Sequence, residues 1–179
     1  MKNKILLVLS IFFLMNCSLF DFEPRTEIGK LPPITNTGRF NFGFLLNGNA
    51  VRVTNSQLMR AETRQDFFLL SFSKTIDGRL YSEESKRLEF ILPKNDLEVG
   101  VNYDLSNSNI HKVIYTEFEN YTIKCKYESK DIIKGNLILS NIDRKNYIIS
   151  GTFEFEALNA NCESIIVTNG RFDMYYFPY

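Results

Sequence analysis

Apolar and polar residues alternate along most of this chain with the period of two that marks strands, and no long stretch carries the 3.6-residue period of an amphipathic helix. Phe40-Asn-Phe-Gly-Phe44 alternates, reaches Asn47-Gly48 and resumes as Ala50-Val-Arg-Val53. An Asn-Gly pair between apolar runs predicts a two-residue hairpin turn. Residues 54–66 are polar and predict a short helix or an irregular loop. Phe67–Phe72 reads as a buried strand, Asp77-Gly78 as a turn, and Arg87–Leu92 as a strand stopped by Pro93. Residues 95–100 predict a single helical turn ending at Gly100, and residues 101–105 a short edge strand.

His111–Thr116 and Tyr121–Tyr127 predict a hairpin in which Tyr121, Ile123, Cys125 and Tyr127 share an inward face. Gly135–Ile142 and Tyr147–Ala157 predict the next, turning at Asp143–Asn146. The last strand runs from Glu163 to Phe177. Its Asn169-Gly170 reads as a bulge rather than a turn, because strand 147–157 needs a partner of equal length. Beyond the bulge, Phe172, Met174 and Tyr176 point one way, and Arg171, Asp173 and Tyr175 the other. The sum is about nine or ten strands with short connections and no room for parallel crossovers. The expected fold is all-β: an antiparallel β-sandwich or a flattened β-barrel, mostly of meander and hairpin connections.

The N-terminus departs from this pattern. Met1-Lys-Asn-Lys4 is basic, Ile5–Leu14 is an apolar run of ten residues, and Leu14-Met-Asn-Cys17 closes it. A spanning helix needs about 20 apolar residues, so the run reads as an export signal. A cysteine directly behind it resembles the lipobox of a bacterial lipoprotein, with Cys17 acylated as the first mature residue. Residues 1–16 are then a signal peptide, 17–38 a Pro- and Gly-containing tether, and 39–179 one all-β domain. Two or more acyl chains on Cys17 suffice for stable membrane anchoring.

Composition narrows the partners. The chain has 21 basic and 21 acidic residues, and no block of like charge, so nucleic acid is not an expected partner. With Cys17 acylated, Cys125 and Cys162 remain, and an oxidising envelope compartment favours a disulfide between them. The alternative is a buried free thiol and an exposed one.

Three stretches resemble a family of Bacteroidota lipoproteins of uncharacterised function. They are Leu31-Pro-Pro-Ile-Thr-Asn-Thr-Gly38, Asn41-Phe-Gly-Phe-Leu-Leu-Asn-Gly48, and the pair Ile149-Ser-Gly-Thr-Phe-Glu-Phe155 with Thr168-Asn-Gly-Arg-Phe-Asp173. This chain has Phe44 where the family often has cysteine, and lacks the tryptophan that often follows the Asn-Gly. The resemblance implies an envelope lipoprotein with an all-β fold, and it implies no activity.

Candidate chemistry is sparse. The one histidine, His111, begins a strand and reads as a surface residue. Zinc needs three or four nitrogen or sulfur ligands, so no metal site is expected. Glu154 and Glu156 point outward at the i, i+2 spacing of about 7 Å, with Asp173 across from them. That is compatible with a carboxylate-based glycan hydrolase and equally with an ordinary solvated face on which Arg171 and Asp173 make cross-strand pairs with Glu154 or Glu156. The expectation is a non-catalytic, lipid-anchored domain without cofactor, binding an unknown protein or small-molecule ligand or serving as a structural component of the envelope. It would sit on the outer membrane, facing the periplasm or the cell surface. A lipocalin-like carrier of an apolar ligand is the alternative, with the hydrolase behind it.

Overall fold

The computed structural model describes residues 26–53, 55–75, 83–95, 97–106 and 110–178. Cys17 and its leader, and the Asp77-Gly78 turn, lie outside them. The described residues form eleven strands: β1 (Asn41–Leu46), β2 (Asn49–Val53), β3 (Met59–Thr63), β4 (Phe67–Thr75), β5 (Ser85–Pro93), β6 (Asn102–Asp104), β7 (Lys112–Glu119), β8 (Thr122–Tyr127), β9 (Ile132–Asp143), β10 (Ile148–Ala157) and β11 (Ile165–Tyr175). One sheet has the order β2-β1-β11-β10-β9-β6 and the other β3-β4-β5-β7-β8. Every pairing between these strands is antiparallel. The two sheets pack as a sandwich, and neither closes into a barrel.

The strands of the two sheets cross steeply. The residues just before β11 meet β8, where the Tyr127 hydroxyl donates to the Glu163 carbonyl at 2.5 Å. The residues just after it meet β3, where Phe177 bridges Glu62. These are opposite edges of the second sheet, so β11 traverses it from side to side, the arrangement of orthogonal packing.

Inward residues of both sheets interlock as a cluster of rings. Phe42 stacks on Phe72 with centroids 3.8 Å apart, and Phe153 meets Phe42, Phe44, Phe90 and Phe172 at 5.0–6.5 Å. Such ring pairs add about 0.5–1.5 kcal/mol each beyond the burial of their area.

Local signals were obeyed where they were strong. Asn47 and Gly48 both take left-handed φ, 48° and 81°, and close the β1–β2 hairpin. The Asn169-Gly170 bulge is present: the registers of β11 with β10 and with β1 both shift there, and Asn169 has φ 53°. Residues 102–104 form the edge strand of the first sheet.

Three expectations are corrected. Within residues 55–66 the expected short helix is present as a 3₁₀ turn (Ser56–Leu58), but strand β3 follows it where no strand was expected. Met-Arg-Ala-Glu-Thr has little β propensity, yet Met59 and Ala61 are buried, and Glu62, 2 % exposed, is held between Arg60 and Arg64. Packing outweighs propensity here. Of residues 95–100, position 96 lies outside the described residues, and 97–100 hold a turn at Val99–Gly100, with Gly100 at φ 81°, in place of a helical turn. Tyr121 and Ile123 do not face inward. Asn120 and Tyr121 form the left-handed turn itself, and a bulge at Lys124 breaks the register with β7, so only Cys125 and Tyr127 turn toward the core.

Candidate functional site

Residues 26–40 follow the outer face of the first sheet as a strap. A 3₁₀ turn, Glu27–Lys30, is capped by the Thr26 hydroxyl, and the Glu27 carboxylate accepts from the backbone N–H of Ala50 on edge strand β2 at 2.8 Å. The strap then crosses β1, where an added Cβ on Gly43 would stand 2.7 Å from the Pro32 ring. Only a residue without a side chain lets Pro32 lie that close. Arg171 of β11 donates to the Pro32 carbonyl at 3.2 Å. The far end reaches β9, where Ser140 and Asn141 donate to Asn36.

Asp173 is the centre of this arrangement. Its carboxylate, 1 % exposed, accepts five hydrogen bonds: from the Thr35 hydroxyl (2.6 Å), the backbone N–H groups of Thr37 (3.0 Å), Gly38 (2.7 Å) and Arg39 (3.2 Å), and the Ser150 hydroxyl (2.8 Å). Burial pushes the carboxyl up, and the bonds from Thr35, Ser150, Gly38 and Arg39 outweigh it, so it is held below the usual carboxylate range. Backbone amides and hydroxyls, rather than a countercharge, keep it ionised.

This differs from the solvated face the alternation predicts. Asp173 does point outward, but the strap covers it. Arg171 serves the strap, Glu154 accepts from Asn136 at 3.0 Å, and Glu156 pairs with Lys134 at 2.9 Å. The expected pairs of Arg171 and Asp173 with Glu154 or Glu156 are replaced by these partners. Glu154 and Glu156 line a shallow depression of about 600 Å³ with Lys134 and Asn136, while Asp173 belongs to the strap. The three carboxylates therefore do not form one site. The His111 and Tyr103 rings meet in a T-shaped pair with centroids 5.0 Å apart.

The second feature is an open corner where the first sheet ends at β2 and the second continues to β8. Two neighbouring depressions, of about 300 and 710 Å³, share Ala50, Val51, Lys86, Glu117 and Lys124 as lining. At its floor Glu117 accepts from Lys86 (2.5 Å) and from the buried phenol of Tyr115 (2.8 Å). Burial, together with the Glu117 charge, pushes the Tyr115 phenol up, so it stays a neutral donor. For Glu117, burial acts to raise the carboxyl, and the bonds from Lys86 and Tyr115 win, holding it low.

Cys125 and Cys162 form the wall of this corner. They lie at disulfide distance with Cα atoms 5.9 Å apart, and tie β8 to the loop before β11 across 37 residues of sequence. A bond there should stabilise the fold by about 2–4 kcal/mol. We expect dithiothreitol, or Cys125→Ser with Cys162→Ser, to lower the urea midpoint accordingly. Alkylation of the unfolded, unreduced protein should label neither cysteine; labelling of both would show free thiols.

A family model described as a domain of unknown function (DUF6252) matches residues 54–174. The chain belongs to the DUF6252 family. The DUF6252 match takes in β3 to Met174 and so includes Asp173, Ser150 and both cysteines, while the strap, β1 and β2 lie outside it. No curated protein and no solved structure matches the chain.

Asp173, Thr35 and Ser150 were not singled out by the sequence pattern as a unit. The signal available was indirect: a run of hydroxyl and glycine residues at Thr35–Gly38, with no apolar period of its own, and an acidic residue between Phe172 and Met174. Nothing local joins positions 138 residues apart.

Proposed function

We propose that this chain is an exported, lipid-anchored β-sandwich that acts at the cell envelope by binding or as a structural component, and that it catalyses no reaction. The observation that carries the reading is the basic–apolar–cysteine head ending at Cys17. A cysteine pair at disulfide distance supports it, because such bonds persist in compartments outside the cytoplasm. The outer membrane, on its periplasmic or external face, is the location that fits both. The balanced charge of 21 basic and 21 acidic residues argues against nucleic acid as the partner.

The state of the carboxylates supports a non-catalytic role. Asp173 is saturated with donors beneath the strap, and Glu154 and Glu156 are each engaged on an open face. The core supports a protein partner over an enclosed apolar ligand. The sandwich is not a closed barrel, and the gap among Phe42, Phe44, Phe72, Leu88 and Tyr115 has no room for a water molecule. A lipocalin-like carrier would need such a cavity.

The test is Cys17→Ser in cells, read by membrane fractionation and by the intact mass of the purified protein. We expect wild-type protein in the membrane fraction with an acyl mass on Cys17, and the variant either soluble or retained as precursor. Unchanged fractionation together with an unmodified Cys17 would overturn the anchoring.

A further inference from the structure

We propose that the open corner binds a small organic carboxylate, its acidic group set between Lys74 and Lys86 and its apolar body laid along Val51 toward the cysteine pair. Four strands of the second sheet mark where the cover given by the first sheet ends. Phe72, Leu88, Tyr115 and Tyr127 lie opposite one another across β4, β5, β7 and β8, and each is no more than 2 % exposed. Two residues further along each strand, on the same side of the sheet, the next row is Lys74, Lys86, Glu117 and Cys125. The first sheet stops at β2, and this second row lines the depressions instead of packing under it.

The row is short of negative charge. Lys74 and Lys86 stand directly across from each other, and like charges so placed repel. Glu117 serves Lys86, while Lys74 has no carboxylate partner among the described residues. Of the other lining carboxylates, Glu119 pairs with Lys124 at 3.4 Å, and Glu84 is exposed ahead of β5. Thr75 lines the same depression, and its buried hydroxyl has no hydrogen-bond partner among the described residues. A carboxylate between the two lysines relieves their repulsion and brings an acceptor into the depression that Thr75 lines. The rest of the lining favours an organic acid over a bare inorganic anion. Val51 lines both depressions, Phe118 the first, and Leu46 and Ile165 the second, where the cysteine pair forms the wall. Their volumes, about 300 and 710 Å³, suit a small molecule. The site is an open groove at the sheet edge, so it adds a small-molecule ligand to the binding role proposed above without a closed cavity, and it stands independently of anchoring at Cys17.

The experiment uses the full chain carrying Cys17→Ser, free of acyl groups and detergent, with octanoate as the probe in isothermal titration calorimetry. We expect saturable octanoate binding, with octanol, which lacks the charge, and acetate, which lacks the apolar body, each weaker by about tenfold or more. Lys74→Gln should weaken octanoate binding about tenfold through the loss of one charge-assisted bond, and Lys74→Arg should retain it. Lys74 is exposed, so both variants should keep the wild-type urea midpoint. Saturating octanoate should also lower acetylation of Lys74 and Lys86 by an amine reagent several-fold, while that of Lys145, in the turn between β9 and β10, stays constant. No saturable binding at millimolar octanoate, equal affinity for octanol or acetate, unchanged affinity in Lys74→Gln, or unaltered acetylation of Lys74 would each overturn the proposal. None of these readouts involves acylation, so failure here leaves the envelope reading to the fractionation test above.

Discussion

Asp173→Ala should lower the stability of the folded domain by on the order of 3–4 kcal/mol and free the strap from the sheet. The variant removes one acceptor and strands five donors. Two of them, the Gly38 N–H and the Ser150 hydroxyl, make buried bonds, and an unsatisfied buried donor costs about 1–3 kcal/mol. The other three bonds are partly buried, so water replaces the carboxylate there at smaller cost. Urea unfolding measures the total. Limited proteolysis between Thr26 and Phe40 measures the strap separately, and cleavage there should accelerate in the variant. Wild-type resistance to both would mean that the strap is held by its apolar contacts at Leu31 and Pro32 and not by the carboxylate.

The same cluster sets a pH dependence whose sign is fixed by the direction of the shift. The folded-state carboxyl is depressed. Its contribution is therefore fully present above the unfolded value of about 3.9 and is lost as pH falls through the lower folded value. Stability and strap protection should decline together in that acidic window. Asp173→Asn, which cannot ionise, should start from a lower stability and lack this component of the decline.

Phe153→Ala should be the most damaging single truncation in the core, at about 3–5 kcal/mol. Phe153 is 2 % exposed and touches four other rings. It also lies across the ladder from Gly170, where an added Cβ would come within 2.5 Å of the Phe153 ring and of its carbonyl oxygen. The ring takes the space that a side chain at 170 would fill. Gly170→Ala should itself destabilise, because both the ring and the backbone must shift. Combining the two substitutions should cost less than the sum of the single changes, since removal of the ring relieves part of the clash. Strict additivity in urea unfolding would show that the backbone contact alone makes glycine necessary at 170.

Much of the fold was legible because its signals are local. Alternation located ten of the strands, Asn47-Gly48 defined a hairpin, and length matching with β10 made Asn169-Gly170 a bulge. Those features depend on backbone conformations that neighbouring residues impose. Strand β3 was not legible, because Met59–Thr63 owes its form to a buried Glu62 held by two arginines and to pairing with β4. Tyr121 and Ile123 were misplaced because one bulge residue shifts every side chain beyond it to the other face. The cysteine pair was anticipated from number and compartment, while its position at the open corner depends on the steep crossing of the two sheets.

The sequence by itself determined the class of the fold, the Asn47-Gly48 hairpin, the inward residues of most strands and the basic–apolar–cysteine pattern of the head ending in Cys17. These are properties of periodicity and of short contiguous motifs. Only the tertiary structure decided that the sheets stay open as a sandwich, that residues 26–40 are a docked strap, and that Asp173 is a buried anchor instead of a surface charge. The physical reason is that an outward-pointing residue is solvated only if nothing lies over its face. What lies over Asp173 comes from the other end of the chain, where no local pattern records it.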